Sequence, residues 1–413
     1  MLKARHLTYT NFGLVEKWYE DMAKEGWQIE KIILSFIHKF KKAEPEDVRY
    51  KVSIAPNEGS FSAFSKDELR DFDEMAKDFG WHLVYRTFNM NVYKLDKGSQ
   101  DSLYNDEKEE IEILNKGVRG EIISLSTIFM VLVFLVFSIT SRFFSRDIFY
   151  SNYLIFMWPA VILFFLFNTL ALGDHILFRK RNKDVKSISD IKFSRLTFSK
   201  AFVLLFYTPI ILMILAFGSE FLLPNDGSSD RTHLISLLST FIMISFVYFY
   251  RKKIKAMNIK RGGKKFILFS MIFLISLITN VSIFTLIDKF STSNEVEKEV
   301  VGDFVKTKER RSFLTESCDY YSSEKNKLGI RKTVVKSQDL AENLFGRILK
   351  NSMKHPYRAD YVKDISGDYP YDRTYILSDG EEYLILNKDV VLEVSDNLED
   401  DKVQEEIAKI LEV

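Results

Sequence analysis

Five apolar stretches in the middle of the chain constrain its fold more than any other feature. They run from Ile122 to Thr140, Phe149 to Leu172, Phe198 to Leu223, His233 to Tyr250 and Phe266 to Ile287. A helix that crosses a bilayer needs about 20 mostly apolar residues, since each residue rises about 1.5 Å across roughly 30 Å of hydrocarbon. All five segments approach or exceed that length, and the fourth is the shortest. A soluble core helix of such length keeps a polar face; these segments offer Ser, Thr, Asn and Tyr at most. The overall composition, 46% hydrophobic and 28% charged, hides the pattern, because charges crowd the two ends and two central blocks. The sequence predicts a five-span α-helical membrane region over residues 121–288.

Orientation follows from Lys and Arg in the connecting loops. Eight lie between the second and third spans, from Arg179 to Lys200, and eight between the fourth and fifth, from Arg251 to Lys265. The two other loops hold Arg142, Arg146 and Arg231. The basic loops are therefore expected in the cytoplasm, with anionic lipid beside them. No basic, apolar signal peptide opens the sequence. The expectation is a multi-pass plasma-membrane protein with a cytoplasmic N-terminus and an extracytoplasmic C-terminus. No span carries a central ionisable residue, which argues against a proton- or ion-coupled transporter. Asp174 and His175 fall at the cytoplasmic end of the second span, and Glu220 near the outer end of the third. Pro159, Pro209 and Asn280 are read as packing or kinking residues.

Residues 1–97 read as a cytoplasmic domain of order strand, helix, strand, strand, helix, strand. Lys3–Thr8 is a short strand. Phe12, Val15, Trp18, Tyr19 and Met22 recur at helical spacing over Phe12–Lys24, and Gly26 closes the helix. Trp27–Phe40 reads as one strand, Lys41–Asp47 as a turn and Arg49–Ala55 as a strand with Tyr50, Val52 and Ile54 alternating. Lys66–Phe79 repeats the helix, with Ser65 as its N-cap, and Trp81–Leu95 repeats the strand. Met22-Ala23-Lys24-Glu25-Gly26-Trp27 matches Met75-Ala76-Lys77-Asp78-Phe79-Gly80-Trp81 with one insertion. Two such halves predict an α+β ferredoxin-like βαββαβ sandwich with one open sheet face. Gly26, Trp27, Tyr50, Gly80 and Trp81 are the candidate residues, either for binding a ligand or partner or as aromatic core corners.

Glu25-Gly26-Trp27, Phe40-Lys41-Lys42, Glu44-Pro45, Val48-Arg49-Tyr50 and Gly80-Trp81, in that order, resemble the bacterial family called domain of unknown function 2812. The resemblance covers about the first 95–110 residues. It implies membrane spans after the domain and, as a neighbour, a PadR-type transcription regulator. It carries no established chemistry.

Residues 98–120 are predicted as an acidic linker helix in which Glu107, Glu109, Glu110 and Glu112 form a solvated face. Gly117 and Gly120 are expected to weaken its continuity with the first span. Residues 289–413 read as a small extracytoplasmic α+β domain. Asn294–Leu328 is charged and reads as a stalk, and Ser337–Met353 as a helix. Thr374–Leu377 and Glu382–Leu386 flank Asp379-Gly380 as a hairpin. Asn387-Lys388-Asp389 turns into Val390–Val394, and Asp400–Leu411 closes the domain as an amphipathic helix. The single cysteine, Cys318, excludes an intramolecular disulfide and a cysteine-based zinc site.

No phosphate-binding loop, metalloprotease helix, nucleophile elbow or kinase signature is present. Arg261-Gly262-Gly263-Lys264-Lys265 lacks the spacing of a phosphate loop. No basic recognition helix argues for nucleic acid, and a net charge of +1 says nothing of partners. Asp174-His175 supplies two donors, half of a metal site, so no metal or other cofactor is expected. The sequence-level reading is a non-enzymatic transmembrane sensor that couples an outer domain to a cytoplasmic partner, a PadR-type regulator or a transporter subunit, with homo-oligomerisation open. An accessory subunit of a transport or efflux complex is the alternative.

Overall fold

The computed structural model describes residues 1–33, 36–54, 66–86, 90–95, 103, 107–222, 300–301, 304–323, 329–354, 360–378, 382–395, 398 and 400–412. The fourth and fifth predicted spans, Asn280 and the second basic loop lie outside these residues. Two compact units emerge. One comprises Met1–Phe137 with Pro159–Ile211, the other Ser138–Trp158 with Leu212–Val413.

The first unit begins with β1 (Leu2–Ala4), α1 (Phe12–Lys24), β2 (Trp27–Ile33) and β3 (Ile37–Lys42). It repeats that order in β4 (Tyr50–Ile54), α2 (Lys66–Asp78), β5 (Trp81–Arg86) and β6 (Met90–Leu95). The strands form two three-stranded antiparallel sheets, ordered β1-β3-β2 and β4-β6-β5. The internal repeat is therefore βαββ, twice, with the same strand order in each copy. This corrects the βαββαβ expectation: among the described residues the strands form two three-stranded sheets in place of one four-stranded ferredoxin-like sheet. Trp27–Phe40 and Trp81–Leu95 are each two strands folded into a hairpin, with Ile33 opposite Ile37 in the first. A strand typically runs about 5–6 residues. Neither apolar run contains the Gly, Pro or Asn-Gly signal that marks a turn.

α1 buries Phe12, Val15, Tyr19, Met22 and Ala23 in a core with Ile29, Phe40, Tyr50 and Val92. That core joins strands of both repeats. The same helix seals the second repeat's free edge. Val52 N–H donates to Glu16 at 2.7 Å and Tyr50 N–H to Glu20 at 3.3 Å, both from β4, the edge strand of its sheet among the described residues. Unpaired edge amides invite pairing with other chains, and two carboxylates occupy them here.

Three helices follow: α3 (Glu107–Phe143), α4 (Asn152–Arg181) and α5 (Lys200–Leu222). Among the described residues these three are long and apolar enough to cross a membrane. Pro159 and Pro209 sit inside α4 and α5. α3 is continuous over 37 residues, about 55 Å at 1.5 Å per residue. Linker and first span are thus one rod, against the expected break. A Cβ at Gly117 would lie 2.5 Å from the Tyr9 ring, so this glycine admits Tyr9 against the helix. One interior glycine costs a helix only about 1 kcal/mol. Leu114 and Val118 join the α1 core, and Lys51 pairs with Glu110 at 2.7 Å.

The second unit holds an eight-stranded antiparallel sheet. Its strands are β7 (Val300–Val301), β8 (Phe304–Arg310), β9 (Thr315–Ser323), β10 (Gly329–Val335), β11 (Lys363–Asp364), β12 (Arg373–Ile376), β13 (Tyr383–Asn387) and β14 (Val390–Ser395), ordered β11-β12-β13-β14-β10-β9-β8-β7. The helices are α6 (Gln338–Met353), with Ser337 as N-cap, and α7 (Asp401–Glu412). β13 shows why both faces are covered. Ile385 packs with Ile407 and Ile410 of α7, while Leu384 and Leu386 pack with Leu344 and Phe345 of α6. Alternate residues of a strand face opposite sides, and burial on both makes the run apolar throughout. The expected stalk over 294–328 is corrected, since it contributes β7, β8 and β9. Its charges suit an outer strand, and Lys306 pairs with Asp319 at 3.0 Å.

The turn between α3 and α4 is part of this second unit. Ile148 and Phe149 are buried among Val335, Leu344 and Phe345. Ser312 Oγ donates to the Phe149 carbonyl at 2.7 Å, and Phe313 N–H donates to Asn152 Oδ1 at 2.7 Å. The Arg347 guanidinium donates to the carbonyls of Phe143 and Ser145 at 2.9 and 3.1 Å, satisfying groups that a helix C-terminus leaves open.

Candidate functional site

The two glycines of the repeat have the same conformation, φ +81° at Gly26 and +83° at Gly80. That left-handed region costs a residue with a Cβ about 1–2 kcal/mol. Each glycine turns the chain from its helix into a strand whose first residue is tryptophan. The two tryptophans part there. Trp27 is half-buried against the α1 core, whereas Trp81 is 2% exposed among Ala76, Tyr93 and Leu95. Tyr50 is buried edge-to-face on Tyr19, ring centres 5.7 Å apart. The structure thus brings Trp27 and Tyr50 to one core and Trp81 to another.

The polar chemistry of this unit gathers instead at Asp174. The residue lies in α4 and is 4% exposed, where an ionised carboxylate is costly unless hydrogen bonds hold it. Thr10 Oγ1 donates to Asp174 Oδ2 at 2.8 Å, and Ser194 Oγ donates to Oδ1 at 2.5 Å. Since Thr10 gives its one proton to Asp174, the hydroxyls of Thr8 and Thr197, each 3.0 Å away, donate to Thr10. Asn11 Nδ2 donates to Thr197 Oγ1 at 3.2 Å and to the His6 carbonyl at 2.7 Å. Ser194 N–H donates to the Thr10 carbonyl at 2.8 Å. Chained hydrogen bonds in a low-dielectric setting strengthen one another. The chain ends on the carboxylate and ties three segments: the β1–α1 turn, α4 and the α4–α5 connection.

Aromatic contacts surround the network. Phe193 stands edge-on to Phe12, centres 4.8 Å apart. His6 packs against Phe167, Phe202 and Phe206, and burial with His175 nearby pushes its pKa down to about 4. His175 Nδ1 lies 2.8 Å from the Ala171 carbonyl, so this nitrogen carries the proton, and Nε2 is buried without a partner. Asp174 and His175 therefore turn to different partners. Among the described residues no group of three or more His, Cys, Asp or Glu is arranged to hold a metal. What this arrangement does chemically is hold position: a buried carboxylate with two hydroxyl donors is a latch.

The sequence reading singled out Asp174 but not Thr10, Asn11, Ser194 or Thr197. The only local trace of them is a cluster of Ser, Thr and Asn in connections flanked by regular elements.

Residues 12–125 match the family model described as Protein of unknown function (DUF2812). The match runs from the first residue of α1 to Leu125 within α3. It contains both βαββ strand-turn glycines, and it includes Gly117 and the Tyr9-facing stretch of α3. No curated protein and no solved structure matches the chain significantly. Thr8, Thr10 and Asn11 of the latch lie just before the matched segment and Asp174, Ser194 and Thr197 lie after it, so the latch is built from residues that flank the match.

Proposed function

We propose that the chain is a multi-pass membrane protein that passes a signal from an outer domain to an inner one, where a protein partner reads it. The carrying observation is that each unit incorporates a different loop of the helical region. The β1–α1 turn of the N-terminal domain is latched to the α4–α5 connection, and the C-terminal sheet encloses the α3–α4 turn. One crossing, α4, separates those two loops. If α4 spans the bilayer, the N-terminal domain shares a side with Ser194 and the C-terminal domain shares a side with Phe149. The Lys and Arg excess between Arg179 and Lys200 supports a cytoplasmic side for the first. This reading requires an odd number of spans, either three, or five with both further segments crossing. The expected inner partner is a PadR-type regulator.

The test is cysteine accessibility. Cys318 is fully buried, so the native thiol is a poor reporter, and Cys318→Ser supplies the background. Lys350 and Glu25 are exposed. Lys350→Cys is expected to react with a membrane-impermeant maleimide in intact cells, and Glu25→Cys only after lysis. Reaction of both only after lysis would sink the reading.

An accessory subunit of a transport complex is the second reading. It rests on α3, which leaves Phe134 70% and Phe137 76% exposed, a face that a permease helix would cover as well as lipid. Stable co-purification with a permease or ATPase subunit is its signature.

A further inference from the structure

We infer that the C-terminal sheet carries a binding cleft for a small organic anion, and that Arg146 of the α3–α4 turn forms part of it. The inference deepens the sensor reading by naming the chemical class of the signal.

A cleft of about 370 Å³ opens at one end of β9, β10 and β14. That lies within the usual range for small-molecule sites. Its floor is charged. Arg331 Nη1 bonds Glu393 Oε1 at 2.8 Å, and Arg146 Nη1 bonds the other oxygen, Oε2, of the same carboxylate. Glu393 takes one nitrogen of each guanidinium, so both arginines keep further N–H donors for a ligand. Arg331 is held in place by its faces, its guanidinium lying 4.6 Å from the Tyr320 ring centre and 5.7 Å from that of Tyr150. Its Nε is buried and has no acceptor, in a molecule class where buried donors are nearly always matched. Tyr320 and Tyr383 stand along the cleft and suit a flat apolar body. Glu382 also lines it and biases the site toward a single anionic head over a polyanion. Arginine is the side chain fitted to carboxylate or phosphate heads, because its planar fork donates in pairs.

Arg146 gives the site its consequence. It belongs to the short 3-10 turn Arg146–Phe149, whose N-cap is Ser145. A bound anion competes with Glu393 for Arg146 and so acts directly on the turn between two spans. A ligand shifts an equilibrium only through different contacts in the two states, and this arginine supplies the difference.

The test uses the full-length protein in detergent. Saturation-transfer NMR is recorded with benzoate, phenyl phosphate and the neutral isostere benzamide. The expected result is transfer to one or both anions, none to benzamide, and at least a tenfold weaker affinity in Arg146→Gln. The stronger of the two anions identifies the head group. Arg146 is partly exposed on its turn, so this variant keeps the fold, and thermal unfolding checks it; Arg331→Lys provides a second variant that retains charge but loses the paired donors. Equal transfer to benzamide, no transfer to either anion, or wild-type affinity in folded Arg146→Gln would overturn the site. Hydrogen exchange over residues 144–151 separates the two claims. Anion binding that leaves this exchange unchanged keeps the site and removes the sensor reading.

Discussion

Thr10 and Asp174, 164 positions apart, share a 2.8 Å hydrogen bond in which the threonine donates. Asp174 therefore has a tethering role that its place near a helix end does not announce. Asp174→Ala removes the acceptor of two hydroxyls and leaves both buried. A lost bond to a charged group costs about 1.5–3 kcal/mol, so the first unit should lose about 3 kcal/mol. Ser194→Ala, which removes one donor, should lose about half of that. Thermal unfolding of the detergent-solubilised chain measures both, and a wild-type midpoint for Asp174→Ala would remove the latch.

Gly26 and Gly80 share a left-handed conformation. A Cβ at Gly26 would also meet the Ala43 carbonyl oxygen at 3.0 Å. Gly26→Ala is expected to cost about 2 kcal/mol, from left-handed strain of about 1–2 kcal/mol plus the close contact. Gly80→Ala should cost about 1–2 kcal/mol from the same left-handed strain. Denaturant titration that finds wild-type stability in either variant would contradict the geometry.

Two buried groups of the first unit titrate against folding in opposite directions. Burial pushes the Glu16 carboxyl up to about 7, in spite of Lys51 and the Val52 amide. Its folded pKa exceeds the unfolded one, so the fold binds the extra proton and stability falls as pH rises from about 4.5 to 7. His38 is held by Tyr19 Oη at 2.6 Å and the Arg5 carbonyl at 3.0 Å, and burial pushes it down to about 4. The unfolded chain binds that proton first, so stability falls as pH drops from about 6.5 to 4. His6 acts in the same direction as His38. Stability should peak near pH 6. Glu16→Gln should remove the whole of this carboxyl's fall in stability between about pH 4.5 and about pH 7, about 3 kcal/mol, with unfolding free energy against pH as the readout.

Asn152 accepts the Phe313 N–H at the start of α4. Asn152→Ala leaves the partly buried Phe313 amide without this acceptor, at a cost of about 1 kcal/mol. The loss should appear as faster hydrogen exchange at residues 144–151 and at Phe313, and not in α1. Uniform acceleration across the chain would show a general unfolding instead.

Both helices of the N-terminal repeat were legible in the sequence, because Phe12, Val15, Tyr19 and Met22 keep helical spacing and glycine ends each copy. The hairpins were not, since the runs at Trp27 and Trp81 fold back without a glycine or proline to mark the turn. β8 and β9 were hidden by their charge, which belongs to the outer part of a sheet and resembles a solvated stalk when read linearly. Three apolar helices were plain from length alone. The latch was out of reach: Asp174 is informative only once Thr10 and Ser194 stand beside it, and nothing local predicts contacts 164 and 20 residues away. The arginine pair on Glu393 is likewise made by strands and a turn that chain order separates.

The carboxylates of α1 lie in the first βαββ copy, but the amides they cover lie in the second. A single copy on its own would lack this cover for its outer edge, since the helix and the strand it seals come from different copies. Cover from another molecule would depend on protein concentration, whereas two copies on one polypeptide meet at a high and constant effective concentration. The tandem repeat thus turns what would be a concentration-dependent pairing into an intramolecular closure.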